Sequence, residues 1–249
     1  MTRRAEILII GNEILSGKVA DEHGVFLCRE FRALGVDVRR MVVLPDEIGP
    51  IADAVRSAWT AADIVVTTGG VGPTHDDVTL AGIALGLARP LVKDPTLAAL
   101  ILELYGAQAD HVVERMAEVP EGATLIRGEG LRIPVVLIEK IYVFPGVPEI
   151  FRRKFLAVKE RFRDEPFHFR RIHLAIGEEP IASTLYDVAA KFPALLLGSY
   201  PVVNRPDYRV RLTLESKDAR YLDDALAYLM ARLPASAIVP TDDESQQTS

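Results

Sequence analysis

A glycine-rich stretch in the first third of the chain combines residue types that bind phosphate with residue types that bind metal ions. Residues 67–79 read TTGGVGPTHDDVT, with three glycines in four positions. Such glycines can turn their backbone N–H groups toward an anion, because no Cβ obstructs its approach. The next helix is predicted to begin at Asp77 or Thr79, and its N-terminus would add partial positive charge. The stretch therefore predicts an anion cradle suited to phosphate.

Acidic side chains accompany this predicted cradle and change the chemistry expected of it. Carboxylates repel phosphate unless a hard divalent cation lies between them. We therefore predict a metal–pyrophosphate site that uses magnesium, manganese or cobalt and has no tightly bound organic cofactor. Asp46, Asp76 and Asp77 are the predicted catalytic residues, and the predicted metal ligands are Glu13, Asp46, Asp76 and Asp77.

The remaining predicted contacts come from loops that are distant in sequence but follow predicted strands. In an open parallel sheet, ligands bind beyond the carboxyl ends of the strands, where such loops meet. A further strand-to-helix passage at residues 144–149 has the same character. The predicted contacts to the phosphorylated ligand are Gly11, Asn12, Ser16, Thr68, Gly69, Gly70, Gly72, Pro73, Thr74, Thr79 and Gly146.

Each of these motifs also has a purely structural explanation, which stays open from the sequence alone. A Gly-Gly-x-Gly loop after a strand is often only a tight turn. Asp76 or Asp77 is a reasonable helix N-cap, and His75 fits a polar loop residue better than a metal ligand. The convergence of several loops on one edge of a sheet favours the functional interpretation.

Predicted strands and helices alternate along the part of the chain that carries these loops. Residues 7–10, 36–44 and 64–66 predict strands, and the apolar spacing within residues 27–34 and 48–59 predicts intervening helices. Strand–helix alternation at this spacing implies parallel strands with right-handed crossovers. We therefore predict an α/β fold, a three-layer α/β/α sandwich with a mostly parallel sheet.

A composition shift at residues 164–166 marks a second region with a different order of elements. Its β-α-β-β-α order predicts a small α+β domain with an antiparallel sheet. We predict domains at 1–165 and 166–240 and a disordered tail at 241–249. On the helix predicted for residues 148–162, Arg152, Arg153 and Lys154 are expected to form a solvated face.

Composition and charge disfavour several classes of function. Lys and Arg total 29 and Asp and Glu total 35, and this net charge of −6 disfavours nucleic acid as the main ligand. No apolar run approaches the ~18 residues that cross a bilayer, and no signal peptide is recognisable. One cysteine, Cys28, cannot form an internal disulfide or a thiolate metal site. We expect a cytoplasmic protein with a small phosphorylated ligand and no membrane partner.

Separated segments of the chain resemble one known family. GNEILSG at residues 11–17, PDE at 45–47 and TGGVGPTHDDVT at 68–79 are similar to the molybdopterin-binding (MoaB/Mog) domain. The Thr-His-Asp-Asp version is typical of its CinA-like branch, named for competence/damage-inducible protein A. YVFPGVPE at 142–149 and LGSYP at 197–201 look closer to the N-terminal half of eukaryotic FAD synthases. The resemblance covers residues 4–240, although Asn12 stands where many CinA-like sequences carry Asp.

This resemblance implies a three-layer domain followed by a small KH-like α+β domain, and a homo-oligomer. In the family, acidic residues that match Asp46 and Asp77 serve the ligand and the metal. CinA-like members are associated with metal-dependent cleavage of ADP-ribose, and the FAD synthase relatives with hydrolysis of FAD. The expected function is thus a metal-dependent pyrophosphatase that releases AMP from such nucleotides. Binding of molybdopterin or a related phosphorylated ligand without turnover is the alternative, and a non-catalytic scaffold is a third hypothesis.

Overall fold

A computed structural model of the chain describes residues 2–106, 112 and 115–240. The chain divides between Asp164 and Glu165 into two compact units. The tail predicted at residues 241–249 lies outside the described residues. No helix in the described part of the chain combines the length and the apolar character needed to cross a membrane.

A six-stranded, mostly parallel sheet forms the centre of the first unit. The described strands of this unit are β1 (Arg4–Ile10), β2 (Asp37–Leu44), β3 (Ile64–Thr68), β4 (Leu91–Lys93), β5 (Glu118–Pro120), β6 (Thr124–Ile126), β7 (Val135–Ile138) and β8 (Ile141–Phe144). The sheet order is β2-β1-β3-β8-β7-β6, and β4 pairs with β5 in a separate ribbon. The first four strands in that order run parallel, whereas β7 and β6 are antiparallel to their neighbours.

Helices cover both faces of this sheet. The described helices are α1 (Asn12–Leu15), α2 (His23–Ala33), α3 (Ile48–Ala61), α4 (Thr79–Gly86), α5 (Pro95–Tyr105) and α6 (Pro148–Val158). Alternate residues of β1 enter two separate cores, because successive strand residues point to opposite faces. Leu8 and Ile10 pack in a core with residues of α3, α4 and α5, whereas Ile7 and Ile9 pack with residues of α2 and α6. The predicted three-layer α/β/α sandwich is confirmed.

A cluster of phenylalanines fixes α6 against the sheet and thereby places the chain segment just before it. Phe144, Phe151, Phe155 and Phe162 have no exposed surface. Neighbouring rings in the cluster meet edge to face or stacked, with Phe144 and Phe151 centroids 5.7 Å apart. Burial of one such ring is worth ~1.5–3 kcal/mol, so the start of α6, next to the predicted site, is firmly anchored.

The second unit is a small α+β domain, as predicted. Its elements are β9 (His168–Leu174), α7 (Ala182–Lys191), β10 (Leu196–Pro201), β11 (Val210–Ser216), α8 (Ala219–Met230) and β12 (Ile238–Val239). The four strands form an antiparallel sheet in the order β10-β11-β9-β12. Alternate residues of β9 and β11 share one core with the two helices, including Leu174, Leu212 and Leu229.

We predicted that Arg152, Arg153 and Lys154 form a solvated face, and this prediction is wrong for Lys154. Arg152 and Arg153 are exposed, but Lys154 is partly buried and its Nζ donates a hydrogen bond to the Pro134 carbonyl at 2.8 Å. Burial lowers the pKa of Lys154 to about 8. Three successive helical residues span more than half a turn, so they cannot all face solvent on a helix packed against a sheet. The same helix also ends earlier than predicted, at Val158, and a 3-10 turn continues to Phe162.

Candidate functional site

The loops that follow β1, β2 and β3 touch one another at the carboxyl edge of the sheet. The backbone N–H of Asn12 donates a 2.7 Å hydrogen bond to Asp46 Oδ2, which joins the first loop to the second. A Cβ placed on Gly69 would lie 2.0 Å from the Ile10 carbonyl oxygen, so the third loop contacts the end of β1 directly. Only a glycine allows this approach, because Gly69 also has a φ of +97°.

A buried threonine braces the turn formed by Gly69 and Gly70. The Thr79 amide donates to the Gly70 carbonyl at 3.0 Å, and the Thr79 hydroxyl donates to the Gly69 carbonyl at 2.8 Å. Thr79 has no exposed surface. The prediction that Thr79 contacts the ligand is therefore not supported, because both of its donors are used inside the protein. Its role is to hold the backbone turn in place.

A cavity of about 350 Å³, here called the wide recess, opens on one side of this turn. Its polar lining consists of Gly70, Gly72, Asp77, Arg115 and Glu118. Apolar side chains supply the walls, namely Ile48, Val71, Val78, Leu80 and Leu91. This volume and mixture of apolar walls with a few polar groups are typical of a small-molecule site.

Asp77 organises the loop that borders the wide recess. Its Oδ2 accepts hydrogen bonds from the amide of Thr74, at 2.7 Å, and from the Thr74 hydroxyl. A Cβ on Gly72 would lie 2.7 Å from that same oxygen, so the glycine makes room for the carboxylate. The N-cap of α4 is Val78 and has no side-chain cap. The structural alternative for Asp77, a helix N-cap, is therefore wrong.

Asp76 and His75 lie at the exposed tip of the same loop. The Thr74 hydroxyl, as the main cause, holds the pKa of the Asp76 carboxyl below its ordinary value. His75 Nδ1 is 3.8 Å from Asp76 Oδ1, and the His75 side chain is almost fully exposed. This position agrees with the expectation that His75 is a polar loop residue.

A smaller cavity of about 80 Å³, here called the narrow recess, lies on the other side of the turn. Its polar lining consists of Glu13, Asp21, Glu22, His23 and Thr68, and Gly69 and Gly146 also line it. The two glycines approach closely: a Cβ on Gly146 would be 3.3 Å from Gly69 Cα. Thr68 also lines the narrow recess, although it is almost fully buried.

Five other predicted contacts line neither recess. Asn12, Ser16, Pro73 and Thr74 are exposed beside the recesses, and Gly11 is buried at the end of β1. The Ser16 hydroxyl donates to the Glu13 carbonyl at 3.3 Å, which completes the short turn of α1.

The four predicted metal ligands are not gathered into one cluster. Glu13 lines the narrow recess, Asp77 lines the wide recess, Asp46 caps the Asn12 amide, and Asp76 is at the loop tip. Among the residues that the structure describes, no three His, Cys, Asp or Glu side chains are close enough to hold an ion between them. Asp46 and Asp77 each accept from a backbone amide through Oδ2, which leaves the other carboxylate oxygen for a ligand.

Sequence reasoning missed five polar side chains of these recesses, namely Arg115 and Glu118 in the wide recess and Asp21, Glu22 and His23 in the narrow recess. Arg115 lines the wide recess although it comes almost forty residues after the glycine-rich loop. His23 lines the narrow recess, with Nδ1 2.7 Å from Thr68 Oγ1 and its ring stacked 4.1 Å from Phe151. Burial is the main cause that lowers the pKa of His23. A lone Arg or His carries no pattern that could have pointed to either position.

Comparison with protein families connects this edge of the sheet to a known domain type. A family model described as "Probable molybdopterin binding domain" matches residues 6–164, which include both recesses. The chain belongs to this molybdopterin-binding domain family. A second model, described as "FAD synthase, middle domain", matches residues 166–242.

Relatives of this molybdopterin-binding-domain protein include CinA-like proteins and probable FAD synthases. A CinA-like protein of Thermomicrobium roseum is 32% identical, with 96% of this chain and 62% of that protein covered. A "Probable FAD synthase" of Caenorhabditis briggsae is 28% identical over 89% of this chain and 48% of its own length. The chain therefore spans about half to two thirds of the length of these relatives.

A solved structure shares the fold of the first unit. The crystal structure of the protein CinA from Thermoplasma acidophilum superimposes with a TM-score of 0.60 at 29% identity. The match covers 65% of this chain and 98% of the CinA chain. The expected CinA-like and FAD synthase-like resemblance is thereby confirmed.

Proposed function

We propose that this chain is a divalent-metal-dependent pyrophosphatase that hydrolyses a nucleotide diphosphate such as FAD or ADP-ribose to AMP and the second phosphate half. In this reaction one phosphoanhydride bond breaks, and the oxygen of a water molecule is added to one of the two phosphorus atoms. The single observation that carries the proposal is the wide recess, where glycine backbone, two carboxylates (Asp77 and Glu118) and the Arg115 guanidinium share a cavity with apolar walls.

Different residues of the wide recess are proposed to bind different parts of the ligand. Ile48, Leu80 and Leu91 offer apolar surface for a base or another ring of the ligand. The backbone of Gly70 and Gly72 lines the recess, and its amide groups are the proposed contacts to phosphate oxygens. Arg115 supplies the positive charge, and its planar donors match phosphate well.

The carboxylates of this edge fit a hard cation that takes part of its coordination from the substrate. Mg²⁺ is typically held by one or two carboxylates together with phosphate oxygens and water. Asp77 and Asp46 each retain one carboxylate oxygen, and these are the residues that would hold the ion. When bound, the ion would offset the charge of the diphosphate and acidify a coordinated water. A preformed cage of protein ligands does not fit the described residues.

The proposal extends to compartment and assembly. We expect a cytoplasmic protein that acts on a small phosphorylated ligand, without nucleic acid or membrane as a partner, and that forms a homo-oligomer. Light scattering coupled to size-exclusion chromatography tests the assembly: a mass equal to one chain of 27.4 kDa would contradict it.

The absence of a gathered metal cluster among the described residues favours a second candidate function. In that function the chain binds molybdopterin or a related phosphorylated ligand without turnover, as the name of the matched family suggests. The discriminating result is a ligand that binds in calorimetry and is recovered intact after prolonged incubation with metal.

AMP release tests the proposed function directly. Purified protein is incubated with FAD or ADP-ribose and Mg²⁺, Mn²⁺ or Co²⁺, and AMP is quantified by chromatography. We expect metal-dependent release, and a decrease in kcat/KM on the order of a hundredfold in Asp77→Asn. Asp187→Asn, at an exposed position of α7, is the matched control and should retain wild-type activity. No AMP with any of the metals would refute the proposal.

A further inference from the structure

A buried nitrogen without a partner distinguishes the narrow recess from an ordinary packing gap. His23 is 8% exposed, and its Nε2 has no hydrogen-bond partner within the described residues. His23 is the first residue of α2. The start of this helix is held by Asp21, whose oxygens accept hydrogen bonds from the amides of His23 and Gly24 at 3.0–3.1 Å. An unsatisfied buried polar atom is costly, and native structures keep few of them. A ligand group that enters the recess could satisfy Nε2.

The contacts of Thr68 decide which hydrogen-bond role Nε2 can take. The Thr68 hydroxyl donates to the Pro145 carbonyl at 3.2 Å, so it accepts from the Nδ1–H of His23, 2.7 Å away. A neutral imidazole has only one N–H, which leaves Nε2 as an acceptor. The lowered pKa of the buried ring favours this neutral form.

The rest of the narrow recess also offers acceptors rather than donors. Glu13, Asp21 and Glu22 contribute carboxylates to the lining, and no Lys or Arg lines the recess in the described part of the chain. An anion would meet these three carboxylates, and the Arg152 guanidinium beside the recess is paired with Glu22 at 3.1 Å, so a phosphate group is disfavoured. A neutral group with two O–H donors matches the pair formed by Glu13 and His23.

We propose that the narrow recess is a sugar subsite, in which His23 Nε2 and the Glu13 carboxylate accept hydrogen bonds from a vicinal diol of the ligand. This inference rests on the proposed function and names the part of the substrate beyond the diphosphate. The wide recess includes Gly70 and the narrow recess Gly69, so a ligand whose phosphate lies on this turn can reach both. The volume of about 80 Å³ accommodates hydroxyl groups of a ribose or ribityl chain.

Acidic and neutral acceptors recognise sugar hydroxyls elsewhere in α/β proteins. Dinucleotide-binding folds use an Asp or Glu to accept a hydrogen bond from a ribose hydroxyl. His23 adds a second acceptor whose lone pair is held in place by Thr68 and by the ring of Phe151. His23 is thus proposed as a residue that selects ligands with a diol, not as a group that takes part in bond cleavage.

Equilibrium binding of two uncleavable analogues tests the sugar subsite. α,β-Methylene ADP-ribose carries the second ribose, and α,β-methylene ADP lacks it. Isothermal titration calorimetry with Mg²⁺ compares both ligands on the wild type, His23→Phe and the control His168→Phe at an exposed position. We expect the wild type and the control to bind the ribose-bearing analogue roughly three- to tenfold more tightly. In His23→Phe, which keeps an aromatic ring against Phe151, this preference should disappear.

The comparison of the two analogues on the wild-type protein does not depend on whether any variant folds. Equal affinity of the wild type for the two analogues, or binding of neither, overturns the subsite. A loss of affinity for both analogues in a folded His23→Phe protein assigns His23 to the phosphate turn and also overturns it. Binding of Zn²⁺ alone that depends on His23 makes Nε2 a metal ligand and excludes the diol. FAD hydrolysis is measured separately, so failure of the proposed function is distinguishable from failure of the subsite. An FAD analogue with the same methylene bridge shows whether a ribityl chain is accepted in place of ribose.

Discussion

The wide and narrow recesses share one backbone turn but differ in the chemistry of their linings. The wide recess, next to Gly70, combines Arg115, Asp77 and Glu118 with apolar walls. The narrow recess, next to Gly69, is lined by the carboxylates of Glu13, Asp21 and Glu22 together with His23 and Thr68. A step of one residue along the turn therefore separates surroundings suited to phosphate from surroundings suited to hydroxyl groups. The turn itself is the feature on which both recesses depend.

The largest expected effect comes from filling the space at Gly69. A Cβ there would lie 2.0 Å from the Ile10 carbonyl oxygen, and φ is +97°. We expect Gly69→Ala to lower the free energy of unfolding by about 3–5 kcal/mol, measured by urea denaturation. Gly130→Ala is the matched control, because φ is +73° but nothing lies within 4 Å of its Cβ position. That control should cost only ~1–2 kcal/mol, and equal losses would show that the contact with Ile10 is unimportant.

Removal of the threonine brace should have the next largest effect. Thr79→Val keeps the shape of the side chain but leaves the Gly69 carbonyl without its 2.8 Å hydrogen bond. A loss of ~1–3 kcal/mol in the free energy of unfolding is expected. Thr60→Val removes a comparable hydroxyl-to-carbonyl bond on the exposed surface of α3 and should cost much less. If both variants are equally stable, the turn does not depend on Thr79.

Arg115→Met is expected to affect the wide recess alone. Loss of a charge-assisted contact to phosphate should weaken AMP binding about tenfold, with a larger effect at low ionic strength. Arg115 is exposed, so the melting temperature should change little. Arg153→Met, on the exposed face of α6, controls for the loss of one positive charge. Similar AMP affinities in the two variants would show that Arg115 does not contribute to phosphate binding.

The smallest expected effect is a pH dependence specific to the narrow recess. Burial lowers the pKa of His23 below its ordinary 6.5, so the folded chain binds this proton less readily than the unfolded chain. Stability rises with pH where the unfolded state binds more protons. The wild type should therefore lose stability relative to His23→Phe as the pH falls below 6.5, down to the pKa in the folded state. A stability difference that is constant between pH 8 and pH 5, about the range of histidine titration, would show that His23 titrates as in the unfolded chain.

The sequence was sufficient to predict the architecture and the edge of the sheet where the loops meet. Aliphatic runs such as residues 64–66 and the alternation with helices fixed the strand directions, and parallel strands bring their following loops together. The ends of the strands were harder to predict where a charged side chain is buried. β1 begins at Arg4 rather than at residue 7, because Glu6 is buried and paired with Arg40 at 2.6 Å.

The roles of individual polar side chains were much harder to predict. The sequence places Asp46, Asp77 and Thr79 at one edge of the sheet. It does not show that Asp46 is bonded to the backbone of a neighbouring loop, whereas Asp77 and Thr79 are bonded to the backbone of their own segment. Among the described residues, the four carboxylates that were expected to share a metal do not form one cluster. Arg115 and His23 enter the recesses through tertiary packing, which leaves no periodic pattern in the sequence.

The fate of water oxygen during ADP-ribose cleavage tests the central claim most directly. Wild-type protein and Asp77→Asn are incubated with ADP-ribose and Mg²⁺ in water enriched in ¹⁸O, and the products are analysed by mass spectrometry. The account predicts AMP and ribose 5-phosphate from the wild type, with one ¹⁸O in one of the two products, and strongly reduced amounts from the variant. Recovery of intact ADP-ribose, or equal label and yield from both proteins, would contradict hydrolysis at the wide recess.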